Sequence, residues 1–367
     1  MSISLLRSPL VFFYNDAVAL SIKLELTIDG TLEYTLVQDF DADDNVLFEY
    51  AELVRDFIDI DPEDADTWTA KVEATYKTYD GLNGTGTELS SFSFDIFGSE
   101  GYEYTEPEDS VDVYSSGYLQ TNNIIYKLDD EGVTLPVERE DVSKVTFMYE
   151  GEVVREDTIT SSTDYAITLA GADWVNYTKR IEEDLGTFED SICLTQFYNT
   201  YALVNVDKIF VDITGGNSRV RVIDVVNISE CKYKPIKVKF ANRYGAVQDV
   251  WFFKKSIESI KTTSDTFNRS IVNSSGNFDY KQHQRKEYNK QSTKALKLNT
   301  GYVDESYNAV MQELIQSEYV WVVNENNDCI PVNVNTSSLT FKTSVNDKLV
   351  DYSIDLDYSL NVIDTIR

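Results

Sequence analysis

The chain has 367 residues, 42% of them hydrophobic, with 63 Asp and Glu against 32 Lys and Arg for a formal net charge of -31. That apolar and aromatic content excludes a disordered acidic tail, and a charge of that sign excludes nucleic acid or an anionic membrane surface as the main partner. The charge is also uneven, since residues 1–200 hold 43 acids and 11 bases, a net of -32, whereas residues 201–367 hold 20 acids and 21 bases.

The apolar run at residues 10–13 is too short for a signal sequence, and nothing approaches the ~18 apolar residues of a membrane span. The expectation is therefore a chain made and folded in a cytoplasm, without membrane insertion. Period-2 alternation then sets the reading as mainly β. Ile22, Leu24, Leu26 and Ile28 alternate with polar neighbours, and Asp29-Gly30 turns the chain into Leu32, Tyr34 and Leu36. After an acidic loop, Leu47, Tyr50, Leu53, Val54 and Phe57 fall at helical spacing and predict a helix that ends before Pro62. Strands are expected at residues 68–79 and 91–97, separated by the Gly-rich turn 80–86, so residues 1–98 form a β-sandwich-like domain.

Residues 99–123 are read as an acidic linker or surface loop. A second β-sandwich-like domain spans residues 124–230, with strands at 142–149, 153–159 and 209–213. Gly215-Gly216-Asn217-Ser218 turns the last of these into a strand at 220–226. A short helix is expected within 173–190.

Residues 231–367 form the third segment, a β-rich assembly domain. Strands at 236–240 and 247–253 flank the turn Asn242-Arg243-Tyr244-Gly245, and Trp251, Phe252 and Phe253 are assigned to sheet core rather than to a recognition surface. The arm at residues 254–298 carries ten bases and four acids and has little core of its own, so it is expected to be mobile until a neighbouring copy covers it. An amphipathic helix follows, with Asp304 as N-cap and Tyr307, Val310, Met311 and Leu314 facing inward. Near the C-terminus Val350, Tyr352, Ile354, Leu356, Tyr358 and Leu360 alternate with polar or acidic residues, a long strand suited to the edge of a sheet or the wall of a ring.

Catalytic chemistry finds no constellation. His283 is the single histidine and sits among Lys281, Gln282, Gln284 and Arg285 in a polar loop. The turn at 81–86 lacks the lysine of a phosphate loop, and Cys193, Cys231 and Cys329 have no metal or disulfide spacing, reading as buried or partly buried free thiols. Asp41, Asp43, Asn45, Glu49 and Glu52 occupy positions 1, 3, 5, 9 and 12 of a calcium-loop spacing, but Val46 stands where the sharp turn needs glycine. Asp41, Asp43, Asn45 and Glu52 are thus weak calcium candidates, a solvated acidic loop is the default, and no cofactor is expected.

Four stretches resemble tail-associated structural proteins of tailed-bacteriophage virions: residues 48–58 (FEYAELVRDFI), 231–259 (CKYKPIKVKFANRYGAVQDVWFFKKSIES), 298–314 (LNTGYVDESYNAVMQEL) and 331–367, above all VNDKLVDYSIDLDYSLNVIDTIR. The resemblance implies a non-enzymatic virion subunit of the tail, tail tip, baseplate or neck. It would be assembled in the host cytoplasm and partnered by its own copies and other virion tail proteins. The charge pattern fits a ring in which Lys281, Arg285, Lys286 and Lys290 of one arm meet the acidic domain of the next copy, while the acidic half projects. The alternative is a receptor- or carbohydrate-binding phage adhesin or lectin-like module, using Tyr-rich acidic loops.

Overall fold

A computed structural model describes residues 3–102, 122–158, 174–176, 192–193 and 206–363, except 9, 29, 64–67, 129–133, 139–141, 214–218, 273, 279–280, 337, 339 and 341–348. The fold is mainly β, with several antiparallel sheets, as the alternation predicts. It divides into two compact units, residues 1–229 with 239–250, and residues 230–238 with 251–367.

The first unit opens with β1 (Ile3–Leu5), β2 (Val11–Asn15), β3 (Ser21–Ile28), β4 (Thr31–Asp39), β5 (Asn45–Glu49), α1 (Ala51–Arg55), β6 (Thr69–Tyr79) and β7 (Glu88–Ser99). Five of the strands form a sheet in the order β1-β7-β6-β3-β4, and β2 pairs with β5. The β3–β4 hairpin closes with Ile28 opposite Thr31, and Gly30 supplies the left-handed residue at φ 78°. Ile22, Leu24 and Leu26 of β3 lie buried beside Val72, Ala74 and Tyr76 of β6. Phe12 stacks on Tyr76 with centroids 3.9 Å apart, the Tyr76 hydroxyl bonds that of Tyr50 at 3.2 Å, and burial pushes the Tyr76 hydroxyl far above its ordinary pKa.

The helix expected across 47–57 is only five residues long. Its first half is β5, because Val46 and Phe48 are buried and Leu47 and Glu49 exposed, a period of two that matches the facing strand β2.

In β3, Glu25 contacts Lys23 and Lys77 at 2.5 Å each, and the hydrogen bonds from Lys23 and then Lys77 hold its carboxyl below the ordinary 4.5. A carboxylate whose folded pKa is depressed stabilises the fold above its unfolded pKa, and the stability is lost as pH falls through the folded value. Glu25→Gln is accordingly expected to be less stable than wild type at pH 7, with the difference shrinking towards pH 3. Urea midpoints at the two pH values measure it.

A second set of strands comprises β8 (Ile124–Leu128), β9 (Thr134–Glu138), β10 (Val142–Tyr149), β11 (Glu152–Thr158), β12 (Trp174–Asn176), β13 (Ile192–Cys193), β14 (Lys208–Ile213) and β15 (Arg219–Ile228). They form a five-stranded sheet, β11-β10-β14-β15-β8, and a three-stranded one, β12-β9-β13. Val145, Phe147, Ile209, Val211 and Ile223 are its buried centre. The β14–β15 pairing matches the two β-branched runs read from sequence; the turn 215–218, most of the 99–123 linker and, beyond Trp174–Asn176, the 173–190 helix lie outside the described residues.

The remaining elements are β16 (Ile236–Ala241), β17 (Val247–Phe252), β18 (Ile257–Asn268), β19 (Arg285–Asp304), α2 (Tyr307–Gln316), β20 (Val320–Val323), β21 (Cys329–Val334) and β22 (Leu349–Ile363). Their seven-stranded sheet has the order β17-β16-β20-β21-β22-β19-β18. Trp251, Phe252 and Phe253 are buried as assigned, as are Tyr307, Val310, Met311 and Leu314 of α2. The N-cap falls two residues later than Asp304, at Ser306, because Asp304 still ends β19 and its carboxylate accepts the Ser306 N–H at 2.9 Å. Cys231 is exposed rather than buried, and Cys329 is half-buried.

The long C-terminal strand β22 is not an edge. It lies between β21 and β19, with Val350, Tyr352, Ile354 and Leu356 buried on one face. The acids on its other face are matched across the strands, Asp357 to Lys261 at 2.6 Å and Asp355 to Lys297 at 3.4 Å. Alternating charge here reflects cross-strand partners, and the edge falls to β18.

Candidate assembly interface

The basic arm is a long β-hairpin. β18 is rich in Ile and Thr, contains no proline and pairs antiparallel with β19 from Ile257 opposite Lys297 to Asn268 opposite Arg285. Twelve residues at about 3.3 Å each make a strand of about 40 Å. All twelve are exposed, and so are residues 285–291 of β19. Only the root of the hairpin has a core, where Ala295, Leu296 and Leu298 are buried. At that root Tyr233, Lys254, Lys255, Lys297 and Asn299 line a cleft of about 380 Å³, and the Lys254 ammonium, 2.9 Å from Glu230, lowers the Glu230 pKa.

The ladder is interrupted between Thr263 and Asp265, where Asn289 takes φ 51° and β19 carries one extra residue. Asn289 Nδ2 donates to Asp265 at 3.0 Å across this bulge. Beyond it, Phe267 and Tyr288 meet edge to face with centroids 5.6 Å apart. Despite that contact they remain 44% and 47% exposed, while Ile260 and Phe278 are 63% and 66% exposed. The hairpin is therefore as much an apolar surface as a basic one.

The four bases singled out from sequence all lie in the distal part of the hairpin, but on both faces. Lys281 is exposed in the connection between the strands. Arg285 stands opposite Asn268, with Nη2 donating to the Thr266 hydroxyl at 3.4 Å; Lys286 stands opposite Phe267. Successive strand residues point to opposite faces, so Arg285 and Lys286 do not act together. Lys290 pairs with Glu287 at 2.6 Å, and its hydrogen bond lowers the Glu287 pKa. The exposed His283 offers its carbonyl to Arg269 Nε at 3.0 Å. The apolar residues of the arm carried no weight in the sequence, where their exposure is invisible.

The calcium-loop residues are arranged as a turn between β4 and β5. Asp41 Oδ1 accepts the N–H groups of Asp43 and Asn45, each at 2.9 Å, and Asn45 Oδ1 accepts Asn15 Nδ2 at 2.9 Å. Asp44 takes the left-handed conformation at φ 58°, and Glu52 lies apart in α1. Among the described residues no group of three or more His, Cys, Asp or Glu is placed to hold a metal ion. Among them too, no helix is long and apolar enough to cross a membrane. No protein-family model, curated protein or solved structure matches the chain.

Proposed function

We propose that the chain is a structural subunit of a tailed-bacteriophage virion, in the tail, baseplate or neck, that multimerises through its C-terminal region. The resemblance of residues 231–259, 298–314 and 331–367 supports the virion assignment. The observation that carries the assembly reading is β18, a twelve-residue strand exposed along its whole length at the end of a seven-stranded sheet. Sheet edges are normally kept short, bulged, charged or covered, because open N–H and C=O groups recruit other strands. This one is long and bears three charges, Glu258, Lys261 and Asp265. In this reading neighbouring copies or other tail proteins cover the hairpin, its bases face acidic surface, and the acidic half of the chain projects.

Reversal of Lys281, Arg285, Lys286 and Lys290 to Glu tests the charged part of this assembly. Exposed ion pairs contribute about 0.2–1 kcal/mol each, so four lost pairs weaken association roughly fourfold to a thousandfold, more with the repulsion that replaces them. Native mass spectrometry of the purified chain is expected to show oligomers that the variant loses and that rising salt weakens in the wild type. Oligomers unchanged by the four reversals would rule out these bases as the contact.

A further inference from the structure

Beyond the charged contact, the backbone of β18 has its own complement. We propose that the open edge of β18 pairs antiparallel with the same edge of a second copy, about a two-fold axis at Thr263, a contact that rests on the chain being an assembling subunit. Two independent features of the strand carry it.

The first is the direction of its backbone groups. The Arg269 N–H donates to the Gln284 carbonyl at 2.8 Å at the distal end of the ladder. In an antiparallel pair, bonded and non-bonded positions alternate. Odd-numbered residues of β18 therefore bond inward to β19, and even-numbered residues turn their N–H and C=O groups to the open edge. A copy related by a two-fold axis at Thr263 sets even against even: Glu258 against Asn268, Ile260 against Thr266, Thr262 against Ser264. Each match occurs twice by symmetry, giving about a dozen backbone hydrogen bonds along the joint.

The second is the side-chain pattern in that same register. Lys261 falls opposite Asp265 of the second copy, and Asp265 opposite its Lys261, while Glu258 meets Asn268 and Ile257 meets Arg269. No like charges face each other, and the sequence from Ile257 to Arg269 is self-complementary about its centre. Lys261 keeps Asp357 of its own chain on the same face, at 2.6 and 2.8 Å, so a second carboxylate joins an ion pair already in place. Phe267 comes to lie opposite Ser259 and diagonal to Ile257 of the partner copy. This covers three of the arm's exposed apolar groups, Ile257, Phe267 and the Tyr288 ring packed on it. The two sheets of seven strands become one continuous sheet, the isologous arrangement that closes on itself.

Thr263 is the residue that meets its own copy, in a non-hydrogen-bonded position where Cα atoms stand about 4.5 Å apart, within the range a disulfide spans. Thr263→Cys in the full-length chain is expected to form a disulfide-linked dimer under mild oxidation. Wild type with its native thiols and Thr262→Cys, which faces Ser264 instead, should form far less. Thr262→Pro removes an outward N–H without touching the backbone bonds to β19, giving up only the Thr262 hydroxyl contact to Ser292 at 3.0 Å, so it is expected to lose the dimer while keeping its far-ultraviolet circular dichroism. The dimer should also persist in high salt, unlike the contact through the four bases. Failure of Thr263→Cys to cross-link above wild type, in a preparation that still assembles, would overturn the two-fold edge and leave the assembly reading standing. A wild-type chain that stays monomeric at every concentration and salt would remove both. A salt-resistant dimer that survives Thr262→Pro would likewise overturn the edge pairing.

Discussion

Leu356→Ala is expected to destabilise the second unit by about 3–5 kcal/mol, the range for truncating a fully buried leucine when the surrounding structure does not collapse into the gap. Leu356 has no solvent exposure and stands at the centre of β22, opposite Leu296 of β19 on one side and Val334 of β21 on the other. Ile354, Leu298 and Val332 are buried around it, all on strands fixed by ladders that restrict relaxation. Domain stabilities lie in the range of about 5–15 kcal/mol, so the loss is a large fraction of the total. Its effect reaches the hairpin through β19, whose inner half packs here and whose outer half has no core. Urea unfolding followed by the fluorescence of Trp251 and Trp321, both in this unit, should show the midpoint fall. Oligomers detected by native mass spectrometry should fall with it, although Leu356 is remote from the open edge. A midpoint shift below about 1 kcal/mol would mean that the sheet repacks around alanine.

The contrast between Leu356 and Lys261 shows what the sequence makes legible. Alternation of Val350, Tyr352, Ile354 and Leu356 identifies a strand and its buried face, because burial on one face of a sheet imposes a period of two wherever the strand lies. It does not locate the strand within the sheet. Asp355 and Asp357 read as a solvated outer edge, yet they are the partners of Lys297 and Lys261, residues about 60 to 100 positions earlier in the chain. The short α1 differs from expectation for a related reason: Leu47, Tyr50, Val54 and Phe57 fit a helix, but Phe48 pairs opposite Phe12 in the β2–β5 ladder, a partner 36 residues away. The arm's basic character was legible from composition. Its form as a hairpin, the exposure of Ile260 and Phe267, and the alternation that turns even residues outward all depend on which strand pairs with β18. The matched spacing of Lys261 and Asp265 about Thr263 is present in the sequence, but it has no meaning until β18 is known to be an edge.

Gly245→Ala should be strongly disruptive in the first unit. The turn around it is buried: Asn242 N–H donates to the Ala246 carbonyl at 2.8 Å, and Asn242 Oδ1 accepts the N–H groups of Tyr244 and Ala246 at 3.0 and 3.2 Å. The turn docks on the end of β7 through Tyr102 N–H to the Arg243 carbonyl at 2.8 Å and the Ser99 hydroxyl to the Tyr244 carbonyl at 3.0 Å. Gly245 has φ 83°, and a Cβ there would stand 2.8 Å from the Ser99 Cβ and 3.0 Å from the backbone nitrogens of Glu100 and Gly101. Left-handed backbone costs alanine about 1–2 kcal/mol, and forcing backbone apart in a packed interior about 1–3 kcal/mol more. Gly30→Ala separates the two contributions, since Gly30 has φ 78° in the same unit and nothing within 4 Å of a Cβ. Both variants should therefore lose the conformational part, and Gly245→Ala alone should lose the packing part, for a total of about 2–5 kcal/mol. Thermal melts of the two side by side decide the matter. Equal losses would mean that the turn lifts away from β7 without cost, and that the buried hydrogen bonds between Ser99, Tyr102 and the turn contribute little to holding residues 239–250 in the first unit.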